Sequence, residues 1–417
     1  MEIIKNKTHD ILRWSEKYTK TDMVYLVSGG FWLFIQQVSS LAIGFLINII
    51  FANTLSPETY GNYKYIISFA SIASAFSLTG IGNSLAKSIA QGYDGSFYVA
   101  IKESVKWSML PSIILIFTSL YYFLNENKIL SLSFLIISLI QPIIISTSLY
   151  GYYYNGKGKF YLSSISGIIF TLFTSTSIII SLLLTNNIII IVATNFISTA
   201  IISVILYLYS KKYIVSNEVD PNTIPYSKHL SIVNLVNTFT EKLDSILLFT
   251  LLGGTQLAVY IFALLVPEQI ISGFKNINTL AFPKLSVQSK SSAEKSVYAK
   301  TKQMLIYILI SGGLYILFAP LLFNIFFPVY KESIFISQIY TISILGILTS
   351  LPITAMTSLG SVKELHKINT YGSIIQIILL GTLIYSMGLW GAVIARIIYR
   401  LIKIPLSFFY FRKYCQS

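Results

Sequence analysis

The chain has 417 residues, of which 54% are hydrophobic and 11% charged, with a mean hydropathy of +0.70 and a formal net charge of +14. So little charge cannot cover the surface of a soluble domain of this size. The excess of Lys and Arg suggests nucleic acid, but in so apolar a chain it serves to set membrane orientation, so no nucleic-acid partner is expected.

The apolar residues come in runs of roughly 20, the length of helix that crosses about 30 Å of hydrocarbon. Runs such as 168–184 and 188–209 are continuous and do not alternate, which excludes barrel strands. The fold class is therefore all-α, a polytopic membrane protein of about twelve transmembrane helices. The first segment, 1–24, is polar and charged and has no leader-like core. Its stretch from His9 to Asp22 either lies along the membrane surface, with Ile11, Leu12, Trp14 and Tyr18 on one side, or is a plain polar tail. Spans follow near 25–52, 61–83, 105–124, 128–149, 160–184 and 187–209, forming a first set of six over 25–209. A polar linker, 210–228, carries Pro221 and Pro225. A second set over 229–411 has spans near 229–252, 256–282, 302–324, 332–359, 366–387 and 388–411, and the tail is 412–417. Leu55, Gly61 and Tyr63 lie 197 positions before Leu252, Ala258 and Tyr260, a faint trace of two similar halves.

Lysine and arginine alternate with the loops. With the N-terminus in the cytoplasm, the inner segments hold 23 of the 30, while the outer loops hold only Lys128 and Lys331. Both ends are thus expected inside, in a bacterial inner membrane. The Tyr150, Tyr152, Tyr153 and Tyr154 group at the end of span 4 reads as an interfacial anchor belt.

Several chemistries are missing. No G-x-x-x-x-G-K-[ST] loop occurs, and the nearest stretch, Gly82 to Ser88, has Ala86 in place of the second glycine. His9, His229 and His366 are too scattered for a metal, Cys415 stands alone, and no nucleophile elbow is present. No catalytic residue, metal or cofactor is expected. The short outer loops speak against a polysaccharide polymerase, which needs an external platform.

Ionisable groups at membrane depth are expensive and mark function. Arg396, Arg400 and Lys403 share one face of span 12, with Arg396 roughly 12 Å from its outer end. Arginine forks match phosphate oxygens, so Arg396 and Arg400 are candidate substrate-binding residues, with snorkelling to headgroups the alternative and the better account of Lys403. Lys64, near the outer end of span 2, either lines a cavity mouth or snorkels. Glu241 and Asp244, neighbours on span 7, are candidates for ion coupling. The alternative for them is an internal ion pair with Lys242 or a span 12 arginine. Glu268, beside Pro267 in span 8, is a third coupling candidate, and Gln141-Pro142 and Pro352 are further kink sites.

Four patches, in order and at matching spans, give the chain a family likeness. They are Leu55-Ser-Pro-Glu-Thr-Tyr-Gly61 with Thr79-Gly80-Ile81-Gly82; Asn155-Gly-Lys-Gly-Lys-Phe160; Asp244 with Tyr260; and Gly388-Leu-Trp-Gly-Ala392. Phe282-Pro283-Lys284-Leu285 also fits. With these the sequence resembles the O-antigen type polysaccharide flippases of the multidrug/oligosaccharidyl-lipid/polysaccharide (MOP) exporter superfamily. It departs at Ala258, where glycine is usual, and at Ser245, where a basic residue is common. The resemblance implies two six-helix bundles around a central cavity, a MATE-like plan. It implies flipping of an undecaprenyl-pyrophosphate-linked oligosaccharide by alternating access, driven by a proton or sodium gradient. The expected partners are that lipid-linked oligosaccharide, membrane lipid, and the polysaccharide polymerase and chain-length proteins. The rival readings are a multidrug exporter of the same superfamily, a lipid II flippase, and the polymerase.

Overall fold

Backbone N–H and C=O groups have no water to bond in hydrocarbon, so each apolar run closes its hydrogen bonds within a helix. The computed structural model describes residues 23–279 and 290–416, and among these there is no strand. The helices are α1 (Met23–Thr54), α2 (Pro57–Ala75), α3 (Ile81–Ala90), α4 (Ser96–Leu124), α5 (Lys128–Thr147), α6 (Tyr150–Gly156), α7 (Phe160–Leu184) and α8 (Ile188–Ser210). They continue with α9 (Thr223–Thr279), α10 (Lys290–Phe326), α11 (Ser333–Tyr340), α12 (Ser350–Ser358) and α13 (Val362–Gln416). The segment 1–22 and the Phe282–Leu285 patch, with Lys284, lie outside the described residues.

Local chemistry sets the helix starts. Ser56 accepts from the Thr59 amide at 3.2 Å, with Pro57 in the first helical position. Asn127 caps α5 through the Leu130 amide at 3.1 Å, and Asn187 caps α8 through Ile189 at 2.9 Å.

Among the described residues, nine helices are long and apolar enough to cross a membrane. Two of these apolar stretches, Thr223–Phe274 and Lys363–Gln416, run 52 and 54 residues, far more than one crossing needs. Each is interrupted by a glycine in the left-handed region, Gly253 at φ +82° and Gly388 at φ +58°. The Gly391 Cα lies so close to the Leu383 carbonyl that a Cβ there would sit 1.8 Å from the oxygen. Eight residues of straight helix would separate the two by about 12 Å, so the chain reverses at Gly388. These breaks fall where the sequence separates spans 7 from 8 and 11 from 12. The protein is a polytopic all-α membrane protein.

Two helices start well before the expected span, α4 at Ser96 and not near 105, and α10 at Lys290 and not near 302, and two further spans are broken where one helix is expected. Span 2 is expected at 61–83, but α2 stops at Ala75, tight turns at Phe76 and Ser77 follow, and α3 begins at Ile81. Span 10 is not one α-helix: between α11 and α12 the nine residues Thr341–Thr349 form a 3₁₀ helix.

The chain divides into two compact units. Among the described residues, the first holds those up to Asn48 and Ala73–Leu235, and the second holds Ile49–Ile72 and those from Val236 onward. The division therefore runs through α1, α2 and α9, and the 210–228 segment lies within the first unit.

In the first unit, a core of Leu85, Phe97, Tyr153, Tyr154 and Leu206 joins α3, α4, α6 and α8. This corrects the anchor-belt reading: Tyr150, Tyr153 and Tyr154 are buried, and the Tyr153 hydroxyl donates to the Tyr213 carbonyl at 2.7 Å. Only Tyr152 is exposed, and it lies against Gly82. Tyrosine favours headgroups, but α6 packs against α3, α7 and α8, and this takes three of the four rings into the core. The 211–223 stretch is pinned to this unit. Asp94 pairs with Lys157 at 2.6 Å and accepts from the Val215 amide at 3.0 Å. Ser88 reaches Asp220 and Thr223, both at 2.8 Å.

In the second unit, α2 crosses the Gly253 turn at backbone contact. A Cβ on Gly61 would meet the Gly254 carbonyl oxygen at 1.8 Å, so only glycine fits. Tyr60, Phe262 and Tyr330 stack beside this crossing, with Phe262 and Tyr330 centroids 3.9 Å apart. A second apolar cluster built on Ile271, Met304, Ile344, Leu351 and Phe411 lies further along the same helices.

Candidate functional site

The glycine turns bring distant carboxylates and arginines to one depth. Asp244 and Tyr260, 16 residues apart, would be about 24 Å apart along a straight helix, yet the Tyr260 hydroxyl donates to Asp244 Oδ2. Asp244, Tyr260 and Arg396 each lie about eight residues, roughly 12 Å of helix, from Gly253 or Gly388. Glu268 and Arg400 lie one to two turns further along their helices.

Arg396 Nε stands 2.6 Å from Asp244 Oδ2, a contact of opposite charges whose N–H is not aligned as a hydrogen bond. Its Nη2 donates to the Glu241 carbonyl at 3.0 Å, and Nη1 lies 3.4 Å from Glu268 Oε1. Arg400 Nη2 pairs with the same Glu268 oxygen at 2.6 Å, and its Nη1 donates to Ser343 Oγ at 3.1 Å. The Tyr340 hydroxyl donates to Glu268, and the Ser245 amide donates to Asp244 Oδ1 at 2.7 Å. The guanidinium carbons stand over tyrosine rings, Arg396 6.0 Å from Tyr260 and Arg400 5.5 Å from Tyr340.

Asp244 is fully buried, while the side chains of Arg396, Arg400 and Glu268 keep 17%, 19% and 33% exposure. Two arginines balance two carboxylates, so the cluster is neutral as it stands. Such a site is tolerable at membrane depth because each charge has a partner and extra hydrogen bonds. Among the two readings of Asp244 left open by the sequence, the geometry shows the ion pair with span 12 and none with Lys242 among the described residues.

Of the six candidate residues, four come together: Arg396, Arg400, Asp244 and Glu268. Glu241 contributes its carbonyl oxygen while its side chain is exposed. Lys64 stands apart on α2, with its ammonium 5.2 Å from the Tyr60 ring. Lys403 reaches the Tyr399 hydroxyl at 3.2 Å. Tyr340 and Ser343 complete the site without having been singled out, because no sequence period links them to Glu268, 72 positions away, or to Arg400. Gly346 is the closest thing to a signal: its Cα faces the Arg400 side chain, where a Cβ would stand 3.0 Å from Arg400 Cβ.

Comparison with solved structures places the fold among membrane transporters. The outward-facing form of a multidrug resistance MATE family transporter of the MOP superfamily matches with a TM-score of 0.63 at 13% identity, covering 93% of this chain and 95% of that one. A MOP superfamily transporter from Pyrococcus furiosus gives 0.64 at 12% identity, over 93% and 95% of the two chains. The lipid II flippase MurJ in an inward closed conformation gives 0.66 at 17% identity, over 92% and 87%. The chain thus shares its fold with these transporters. More narrowly, residues 26–272 match the family model described as polysaccharide biosynthesis protein, and the chain belongs to that family. No curated protein sequence matches it.

The family-like patches have physical roles in this fold. Gly61 permits the α2 crossing, Lys157 of Asn155–Phe160 pairs with Asp94, Asp244 and Tyr260 are bonded, and Gly388 and Gly391 form a reversal.

Proposed function

We propose that this protein flips an undecaprenyl-pyrophosphate-linked oligosaccharide, an O-antigen type repeat unit, from the cytoplasmic to the periplasmic leaflet of the inner membrane. The observation that carries the reading is a pair of arginines held at membrane depth in a transporter fold that belongs to a polysaccharide biosynthesis family. A pyrophosphate and several sugars cannot cross hydrocarbon unaided. Alternating access would let the head cross while the polyprenyl tail stays in lipid. Arg396 and Arg400 are the substrate-binding residues on this reading, with Lys64 as an entry contact. Asp244, Glu268 and Glu241 couple the cycle to an ion gradient. The chain acts as a transporter and not an enzyme, with both termini cytoplasmic. The polymerase and chain-length proteins would receive the flipped unit.

The multidrug-exporter reading draws on the likeness of the fold to a multidrug resistance MATE family transporter.

Deletion in the host tests the proposal. Loss of surface polymer, with single lipid-linked units trapped on the cytoplasmic leaflet, is expected. Units that reach the outer leaflet unpolymerised would point to a polymerase, and intact polymer with altered drug sensitivity to an exporter.

A further inference from the structure

The patch Asn155–Phe160 brings two lysines to the junction of α6 and α7, and of the two only Lys157 finds a carboxylate among the described residues, Asp94 at 2.6 Å. Lys159 follows Gly158, which stands in the left-handed region at φ +68°, and its ammonium sits 4.1 Å from the centre of the Tyr213 ring. Tyr213 closes the short 3₁₀ turn Lys211–Tyr213 that ends α8. Tyr209, one helical turn earlier, meets it at 5.8 Å between ring centres, with the two hydroxyls 3.2 Å apart. Lys212 covers the other tyrosine, its ammonium 5.2 Å from the Tyr209 ring. Lys159, Lys212 and Tyr209 are exposed, and neither lysine pairs with a carboxylate among the described residues.

This group lacks an anion. Each ammonium leans on a ring face, which leaves its N–H bonds free and its charge uncompensated. The hydroxyl pair spends one hydrogen internally and keeps the other to donate. The Tyr154 ring stands edge-on to Tyr213 at 5.7 Å, and its hydroxyl is buried with no hydrogen-bond partner among the described residues. A buried donor is costly to leave so, and a phosphate oxygen seated beside Tyr213 would give it an acceptor. α7 begins at Phe160 with no side-chain cap, so its first amides add to the positive field.

The surface of α8 decides what carries the anion. Ile197, Ile201, Ile205 and Leu208, three and four apart, form an exposed aliphatic stripe that runs up to Tyr209 and Lys212. A soluble ion has no use for that stripe, whereas an acyl chain lies along it with its headgroup at the lysines. The geometry points to a binding site for an anionic phospholipid, its phosphodiester held by Lys159, Lys212 and the Tyr209–Tyr213 hydroxyl pair and an acyl chain laid on the α8 stripe. The site lies wholly in the first unit, uses no residue of the arginine cluster, and stands whatever the transported substrate is.

Native mass spectrometry of the full chain tests it, with phosphatidylglycerol or phosphatidylcholine of identical acyl chains added to the detergent-purified protein. Wild type is expected to bind one phosphatidylglycerol about tenfold or more tightly than phosphatidylcholine. Lys159→Gln with Lys212→Gln should remove most of that preference, about fivefold for each lysine. Tyr213→Phe, which keeps both charges, should weaken phosphatidylglycerol by about threefold to tenfold and carries the test if the double variant does not fold. Lys102→Gln with Lys106→Gln, an equal change of charge on exposed α4 lysines, should leave the preference as it is. Equal binding of the two lipids, an unaltered preference in the Lys159 and Lys212 double variant or in Tyr213→Phe, or an equal loss in the α4 control overturns the site. So does displacement of the bound lipid by millimolar inorganic phosphate, which would mean a soluble-anion site. Displacement by equimolar geranyl pyrophosphate would overturn it too, and would make the patch an entry point for a polyprenyl pyrophosphate.

Discussion

The two units solve the problem of polarity inside a membrane in opposite ways. The first is lined with neutral hydroxyls: Ser104, Ser108, Ser112, Ser133, Ser164 and Ser203 are all buried. Ser108, Ser112 and Ser133 bond back to their own helix, Ser133 to the Ile129 carbonyl at 2.7 Å, and others bridge helices, as Ser119 does to the Ser131 carbonyl at 2.8 Å. Such side chains are small, let helices approach closely, and contribute modestly one by one. Its ion pair, Lys157–Asp94, lies near helix ends and loops. The second unit places three ion-pair contacts among Asp244, Glu268, Arg396 and Arg400 inside its spans. A hydroxyl network tolerates the loss of any member, while a charge network does not, since each deletion strands a partner. The first arrangement suits a frame and the second a switch.

The sharpest way to break this comparison is Arg396→Ala. It leaves Asp244 buried and uncompensated, with a loss of about 3–5 kcal/mol expected. Thermal unfolding of the detergent-purified protein would show it, and the double change Arg396→Met with Asp244→Leu should recover most of the loss. Equal stability of single and double variants would mean that the charges do not act as a pair. Next in size is Gly61→Ala, whose methyl must push the Gly254 carbonyl away and should cost about 1–3 kcal/mol, read as a lower melting temperature and less folded protein. In the first unit, Asp94→Asn removes the partner of a Lys157 that keeps 24% exposure, so the loss should be about 1.5–3 kcal/mol at most. Protease nicking within 214–222 should rise alongside, because the Val215 amide loses its charged acceptor. The smallest effect belongs to Ser133→Ala, about 1 kcal/mol or less. If it rivalled Arg396→Ala, the contrast between frame and switch would collapse.

Much of this was readable in the chain because hydrophobic length and glycine placement are local signals. Continuous apolar runs gave the helices, and Gly253 and Gly388 stand where two runs had to be separated. The lone charges in spans pointed to Arg396, Arg400, Asp244 and Glu268, because burying them needs a reason. For Asp244 an ion pair with a span 12 arginine was one of the open readings; which arginine it is, and the pairing of Glu268 with Arg400, were not readable, since they depend on two chain reversals and on packing between segments more than a hundred positions apart. The same holds for Tyr340 and Ser343, whose neighbours in sequence are ordinary span residues. Tyr150, Tyr153 and Tyr154 misled for the reverse reason: composition favours the interface, and tertiary packing took them into a core.

The 3₁₀ stretch Thr341–Thr349 begins directly after Tyr340, which holds Glu268, and contains Ser343, which holds Arg400. A 3₁₀ helix rises about 2.0 Å and turns about 120° per residue, against about 1.5 Å and 100° in an α-helix. Over nine residues, rewinding to α would shorten the segment by about 4.5 Å and swing α12 by about half a revolution about its axis. The span thus holds slack, wound in and fastened at one end to Glu268 and Arg400, and its ready outlet is a screw motion of Ser350–Ser358.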